Sequence, residues 1–292
     1  MSTEQLALNL PAAVQTRRIR LGALALPLHY AALLLCALLM TFPFLWALAV
    51  GLSKDPSGIW RFPQAFWPRD PGWYWFGRVL NEIPFFTYVG NSLLLSLCTV
   101  LATLLLAIPA GYALAHMEFP GRRWLFGLLL ATLMVPMEIG VVPNFLTLSQ
   151  LGWLGTYGAA MLPNIASAFG VFMMKQYFEA LPADALEAAR VDGANEWQVM
   201  WRIAVPMSWP AVTTLAIFTF VSAWNDYLWP SVVLSDRMKM PLAVGIFHDL
   251  TGPFATSTSL VLAAVVLAAL PVLLCFVFTQ RWLLAGVMDS RA

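Results

Sequence analysis

Six apolar runs, each long enough to cross a bilayer as a helix, dominate this chain and dictate most of what it can become. They fall at about residues 24–52, 85–115, 124–148, 157–178, 206–234 and 259–284. Spanning a hydrocarbon core takes roughly 20 such residues in helical form. Inside a bilayer each backbone N–H and C=O must find its partner within the structure, so runs of this kind fold as helices. The predicted fold class is all-α, a polytopic membrane protein with six transmembrane helices. Composition agrees. Of 292 residues, 60% are hydrophobic and 11% charged, against roughly a quarter charged in soluble domains. A soluble globule of this length could not cover its surface with so few charges. Sixteen Lys+Arg against 15 Asp+Glu leave a formal charge of +1. With no basic excess and no charge block, nucleic-acid binding and disorder are excluded as well.

Basic residues set the orientation, because loops that stay inside carry the excess of Lys and Arg. With the N-terminus inside, the cytoplasmic parts hold Arg17, Arg18, Arg20, Arg122, Arg123, Lys175, Arg190, Arg202, Arg281 and Arg291. The outer parts hold Lys54, Arg61, Arg69, Arg78, Arg237 and Lys239. Both termini are expected in the cytoplasm. The first run follows basic residues as a secretion signal would, but it is longer than a signal core and lacks a small-residue cleavage site, so it reads as a retained span. Residues 1–23 form a cytoplasmic segment and residues 24–292 one transmembrane domain. Cys36, Cys98 and Cys275 all lie in apolar runs, as small buried hydrophobes do. Pro43, Pro109, Pro136, Pro143, Pro163, Pro210 and Pro271 lie in or beside spans, where proline removes a donor and kinks the helix. Such kinks serve packing or line a pathway.

Residues 181–206 are too polar to span. Pro182 suits a helix's first turn, and Asp184 and Glu187 lie near its positive end. Alanines, Leu186 and Arg190 are good helix formers. Gly193 permits the left-handed conformation that ends a helix. Asn195 can cap a second helix over residues 196–202, and Pro206 opens the next span. The sequence thus writes helix, sharp turn, helix: a two-helix elbow at the cytoplasmic face.

The spacing within this elbow is specific. Glu187-Ala188-Ala189, three residues, Gly193, nine residues, Ile203, one residue and Val205-Pro206 resembles the EAA loop of ABC importer permeases, with Val205 where leucine is usual. Asn91-Ser92, Pro136 and Trp224-Asn225-Asp226 are similar to the carbohydrate branch of that family, and the nearest type is the second permease of maltose- and glycerol-3-phosphate-type importers. The resemblance covers about residues 24–286. The short tail, residues 287–292, is more similar to glycerol-3-phosphate-type permeases. The resemblance implies a type I ABC importer permease fold in the bacterial or archaeal cytoplasmic (inner) membrane. It implies a coupling role toward an ATPase for Glu187, Ala188, Ala189, Asp192, Gly193, Ile203 and Pro206, with Glu187 facing basic or polar ATPase groups, Gly193 forming the turn, and Ala188 and Ala189 packing in an ATPase groove. It also implies the partners: a second permease subunit forming a heterodimer, two copies of a cytoplasmic ABC ATPase, an extracytoplasmic solute-binding protein and membrane lipid.

No phosphate-cradling G-x-x-x-x-G-K-[ST] motif occurs, so the chain is expected to bind no cofactor, with ATP and Mg held by the partner ATPase. His29, His116 and His248 are far apart and form no ligand cluster. His248-Asp249 reads as a solvated outer pair. No catalytic constellation is evident, so the chain is expected to be non-catalytic.

A charge at membrane depth is costly and faces a cavity or a partner. Glu138 and Asp226, both in the outer halves of their spans, are candidates for a substrate pathway; the alternatives are that Asp226 and Asn225 cap or link helices and that Glu138 is a packing or interface group. Asn91, Asn144, Asn164 and Asn225 add amides, and Trp224, Tyr227 and Trp229 add aromatic faces, a combination that suits sugars. Absence of Arg and Lys from the outer halves of the spans favours a neutral saccharide over glycerol-3-phosphate or a glycerophosphodiester, which would want cationic donors. An ATP-independent secondary transporter would need ionisable residues deep in several spans, and an intramembrane enzyme a clustered nucleophile, base or metal set. The Trp-rich stretch 53–84, with Trp60, Trp67, Trp73 and Trp75, is suited to interfacial anchoring or to contact with the binding protein.

Overall fold

The computed structural model describes residues 12–54, 70–251 and 257–289, with side chains described over 27–277 of these. Thirteen α-helices are used below: α1 Ala12–Leu52, α2 Tyr74–Glu82, α3 Phe85–His116, α4 Arg122–Thr132, α5 Val141–Gln150, α6 Tyr157–Ile165, α7 Ala168–Glu179, α8 Ala183–Val191, α9 Glu196–Val199, α10 Trp209–Asn225, α11 Leu228–Val233, α12 Leu242–Leu250 and α13 Thr258–Asp289. No strand occurs among the described residues; Ser53 and Pro71 form an isolated bridge.

The six apolar runs are realised in two ways. Pro27–Leu52, Phe85–His116 and Thr258–Val277 are continuous helices long and apolar enough to span. Three further stretches qualify only as bent pairs: Arg122–Thr132 with Met137–Gln150, bent by 93°; Tyr157–Ile165 with Ala168–Glu179, bent by 44°; and Glu196–Met207 with Trp209–Asn225, bent by 80°. Prolines explain part of this division. Pro43, Pro109 and Pro271 lie inside unbroken helices, where a lost donor is absorbed by the surrounding turns. Pro136, at φ −59° and ψ 135°, sits where α4 has ended and a 3-10 turn over Met137–Gly140 begins. Pro210 lies in the first turn of α10, just past the corner at Ser208. The run expected as one span over 206–234 is therefore three pieces: the corner at Ser208, α10, and α11 after a break at Asp226–Tyr227. Trp60 and Trp67 and the tail residues 290–292 lie outside the described residues.

α3 is the central post, packing along α7 and α10 and touching α6 and α12. Its buried side chains include Tyr88, Asn91, Ser92, Leu95, Thr99, Thr103, Ala107, Gly111 and Tyr112, a stripe at three- and four-residue steps. The opposite face, with Leu94, Leu97, Leu101 and Leu105, is exposed. This inverts the soluble pattern: small and polar residues turn inward, where helices approach closely, and large apolar ones turn outward. The approach is close at Gly111, where an added Cβ would lie 2.7 Å from Met174 Cβ on α7, and closer still at Gly245 of α12, where it would meet the Tyr88 ring.

Two apolar clusters hold the ends of this post. At one end Tyr112, Met174, Phe178, Leu186, Val199, Met200 and Leu215 form a core beneath the elbow; this is called the elbow end. At the far end Trp75, Phe76, Phe85, Tyr88, Trp224, Leu242, Ile246 and Leu260 form a second. The stretch expected as an outer loop thus contains α12, whose Leu242, Val244, Ile246 and Leu250 are buried. Trp75 belongs to this core, donating Nε1–H to the Ser53 carbonyl at 2.8 Å, while Trp73 is exposed. A two-residue difference in position separates a packing tryptophan from a surface one.

Candidate functional site: elbow, helix breaks and far-end clasp

The elbow forms as local sequence chemistry dictates. Pro182 precedes α8 at φ −60°, and Asp184 lies in the first turn. Gly193 ends the unit at φ +88°, the left-handed region that a Cβ disfavours. The Asn195 side chain accepts the Gln198 N–H at 2.9 Å, while the Gln198 side chain accepts the Asn195 N–H at 3.0 Å. This reciprocal capping box satisfies two amides at the start of α9. After Val199 the chain widens into a π turn over Met200–Ala204, then resumes helix at Val205–Met207 before the corner.

Packing sorts the elbow into two faces. Leu186, Ala189, Val199 and Met200 are buried against α3 and α7. Glu187, Ala188, Asp192, Gly193 and Pro206 are exposed, with Val191 at 87% and Trp197 at 63%. Ile203 is partly buried against the elbow core. One expectation is corrected here. Ala189, paired with Ala188 as a residue for an ATPase groove, is only 9% exposed and faces its own chain's core. Ala189 lies three positions from the buried Leu186, on the same side of α8, about 100° around the helix from Ala188. Val191 and Trp197 were missed; two large apolar side chains exposed in an otherwise polar elbow are the signal that could have found them.

The elbow is also tied by polar contacts. The Glu196 carboxylate accepts Arg190 Nε at 2.8 Å and Nη2 at 3.2 Å, and the Tyr112 hydroxyl at 2.7 Å. Nearby, His116 Nε2 lies 3.0 Å from the Phe178 carbonyl. A cleft of about 620 Å³ opens beside this end, around Glu118, Arg122, Arg123, Trp124 and Lys175. Lys175 there is paired with Glu179 at 2.6 Å and lies 4.3 Å from the Phe126 ring centre.

Of the pathway candidates, two are brought together. Asn164, near the break between α6 and α7, donates Nδ2–H to Asp226 Oδ2 at 3.1 Å. Asp226 lies in the break between α10 and α11, and its Oδ1 accepts the Trp229 N–H at 3.3 Å. Glu138 and Asn144 are exposed on the 93° bent pair and form no hydrogen bond with this pair. Asn225 donates to the Val221 carbonyl of its own helix. Tyr227 is partly exposed and packs edge-on against Phe247. Trp224 is a correction. It is buried, stacked on Phe220 with its Nε1–H toward the Ala268 carbonyl at 3.3 Å, so its ring offers no open face to a solute. Trp229 is likewise buried, donating to the Ala159 carbonyl at 2.9 Å. Asn91 is fully used in structure: Nδ2 donates to the Met238 and Met240 carbonyls at 2.8 and 2.9 Å, and Oδ1 accepts the Tyr157 hydroxyl at 2.8 Å.

At the far end His248-Asp249 is not a solvated pair. The Asp249 side chain is 7% exposed. It accepts Tyr88 Oη at 2.7 Å, Arg237 Nη2 at 2.9 Å and His248 Nδ1 at 2.9 Å. Burial pushes its carboxyl upward, yet Arg237, His248 and Tyr88 outweigh burial and hold it below the usual carboxylate range. This clasp fixes α12 onto the start of α3. No metal-holding group of His, Cys, Asp or Glu occurs among the described residues.

A bundle of spans, three of them broken, carrying an elbow with one exposed face, is the architecture of a membrane permease. Residues 107–288 match the family described as binding-protein-dependent transport system inner membrane component. The chain belongs to this family and is a multi-pass inner-membrane subunit of the ABC importer class. It is 36% identical over 238 residues to the arabinooligosaccharides transport system permease protein AraQ of Halalkalibacterium halodurans, covering 82% of this chain and 81% of that one. It is 32% identical over 266 residues to the sn-glycerol-3-phosphate transport system permease protein UgpE of Yersinia pestis, covering 89% and 94%. Among solved structures it is similar to a chain of a bacterial ABC transporter involved in import of the acidic polysaccharide alginate, with a TM-score of 0.76, 27% identity, and coverage of 91% and 97%. A permease fold is shared with the MetNI methionine ABC transporter at a TM-score of 0.56 and 17% identity, covering 69% and 95%.

Proposed function

We propose that this permease subunit imports a neutral carbohydrate by alternating access, and is itself non-catalytic. Two cytoplasmic ABC ATPase copies bind ATP and Mg, a second permease completes the pathway as a heterodimer, and an external binding protein delivers the solute. Both termini lie in the cytoplasm. The observation that carries this reading is the two-faced elbow: one side anchored in the chain's own core through Leu186 and Val199, the other exposing Glu187, Ala188, Asp192 and Gly193. Glu187 meets basic or polar ATPase groups, Gly193 sets the turn, and Ile203 and Pro206 fix the exit into α10. A lever of this form drives transport only where its contacts differ between the two ATPase states.

Asn164 and Asp226, at paired helix breaks, are the leading candidates for the solute path, with Glu138, Asn144, Asn225 and Tyr227 as further polar or aromatic groups. Carbohydrate is favoured by similarity to a permease named for arabinooligosaccharides and by the absence of Arg and Lys from the far halves of the spans. Glycerol-3-phosphate or a glycerophosphodiester is the second reading, favoured by similarity to a permease named for glycerol-3-phosphate.

The test is purification of the tagged chain from its host in mild detergent, with co-purifying proteins identified by mass spectrometry. Recovery of an ATPase and a second permease, and loss of that ATPase with Glu187→Ala, is the expected result. Uptake in ATP-free vesicles by the chain alone, or intact uptake by Gly193→Pro, overturns coupling through this elbow. Competition of uptake by neutral oligosaccharides or by glycerol-3-phosphate decides the solute class.

A further inference from the structure

The elbow is continuous in sequence with α7 and α10, but it touches α3 only across space. We propose that Tyr112 is the positioning residue that carries elbow movement into α3, through its hydrogen bond to Glu196. This inference rests on the importer reading above.

Three observations support it. First, Tyr112 is 2% exposed and its hydroxyl reaches Glu196 Oε2 at 2.7 Å, across 84 positions of sequence. Second, Glu196 is held from within the elbow by two bonds from Arg190, at 2.8 and 3.2 Å. Arg190 belongs to α8 and Glu196 to α9, so the carboxylate binds both limbs of the elbow and α3 together. Third, α3 is the helix against which α7, α10, α6 and α12 pack. A displacement delivered to α3 therefore reaches both ends of the bundle.

Apolar contacts alone would not serve as well. Those made under the elbow by Leu186, Val199 and Met200 are non-directional and permit sliding. A hydroxyl–carboxylate bond is directional, and a charged acceptor makes it one of the stronger kinds. It resists both separation and slip between α9 and α3. The Tyr112 ring is held independently, edge-on to Phe178 at 5.7 Å and beside His116 at 5.2 Å. Tyr112→Phe therefore deletes the link while keeping the packing.

The experiment uses the purified complex with its ATPase, with Cys36, Cys98 and Cys275 replaced by alanine and MgATP-vanadate as the probe. Spin labels at the exposed positions Ala183→Cys and Leu101→Cys report the distance from elbow to α3. Labels at Leu101→Cys and Leu146→Cys report movement of α3 against α5. In the otherwise unsubstituted complex, MgATP-vanadate is expected to shift the α3–α5 distance and leave the elbow–α3 distance fixed. With Tyr112→Phe the pattern reverses: the elbow–α3 distance shifts and the α3–α5 shift is lost. Tyr112→Leu, which also disturbs the ring packing, and Tyr112→Phe, which keeps it, should give the same reversed pattern, while Phe178→Leu, which loosens the same core and leaves the hydroxyl–carboxylate bond, keeps the first pattern, which a general loosening of the fold would not do. Tyr112→Phe with unchanged distances overturns the proposal. A Tyr112-containing complex in which neither distance responds overturns the importer reading, and this role with it.

Discussion

Asn164 donates a hydrogen bond to Asp226 at 3.1 Å, joining the break between α6 and α7 to the break between α10 and α11. Two interrupted helices meet where backbone groups are freed and an acid lies beneath the surface. Non-helical backbone at membrane depth survives only where protein or a water-filled cavity satisfies it. Asp226 meets part of that need, capping α11 with one oxygen and taking Asn164 with the other.

Substitution at this junction should impair transport more than assembly. Asp226→Asn leaves one acceptor oxygen where two are used, so either bond survives but not both. Hydrogen bonds to charged groups contribute about 1.5–3 kcal/mol, and a loss of that size felt in only one transport state is roughly a tenfold rate change or more. Initial uptake rates, normalised to the amount of subunit in the membrane, are the measurement; a rate within twofold of the parent would exclude the junction from the path.

At Gly193 the backbone, not space, is limiting. No atom lies within 4 Å of an added Cβ, but φ is +88°. Gly193→Ala is expected to cost about 1–2 kcal/mol, while Gly193→Asn costs less because asparagine tolerates this conformation. Recovery of the ATPase in pull-downs should rank glycine first, asparagine next and alanine last.

Gly111 presents the opposite case. Its backbone is ordinary helix, but a Cβ would meet Met174 at 2.7 Å and the Lys175 nitrogen at 3.0 Å. Overpacking of this kind costs about 1–3 kcal/mol, so Gly111→Ala should lower the midpoint of thermal unfolding in detergent. Gly90→Ala on the same helix, where a Cβ meets nothing within 4 Å, should leave it equal or higher.

The far-end clasp predicts a pH response. Asp249 has a folded pKa below its ordinary value. Its contribution to stability is therefore fully present above the unfolded carboxylate pKa, about 3.9, and is lost as pH falls through the lower folded value. Thermal stability should be insensitive to Asp249 from neutrality down to about pH 4. Arg237→Gln removes the largest of the lowering contacts and leaves burial, which raises the pKa. Its stability, lower than the parent's at neutral pH, should then fall less on acidification or rise, so that the two curves converge at low pH, and parallel curves would refute the clasp as a coupled group.

What could be read from sequence divides by the range of the interactions involved. The elbow was legible because Pro182, Gly193 and Asn195 act on their own backbone within a few residues. The spans were legible because lipid demands long apolar runs. Placement of α12 was not, because it depends on Asn91, Ser92 and Tyr88 meeting residues about 150 positions away. Bend angles were hidden for a similar reason: Pro136 announces a break, but the 93° is decided by what α4 and α5 pack against. Trp224 and Trp229 looked like solute-facing rings because hydrophobic pattern alone cannot tell the inside of a bundle from the wall of a channel.

The π turn at Met200–Ala204 makes the count of residues in the elbow a matter of angle. Each residue of a regular helix turns the chain by about 100°, and a π turn takes up one more residue than an α turn. Deleting a single residue there would let the helix close to regular pitch and swing Glu196 and Val199 away from α3 without altering any side chain. Insertions and deletions between Gly193 and Ile203 should therefore be far more damaging than point changes at most of the same positions. A length ruler, more than a set of residue identities, is what this stretch must keep through descent.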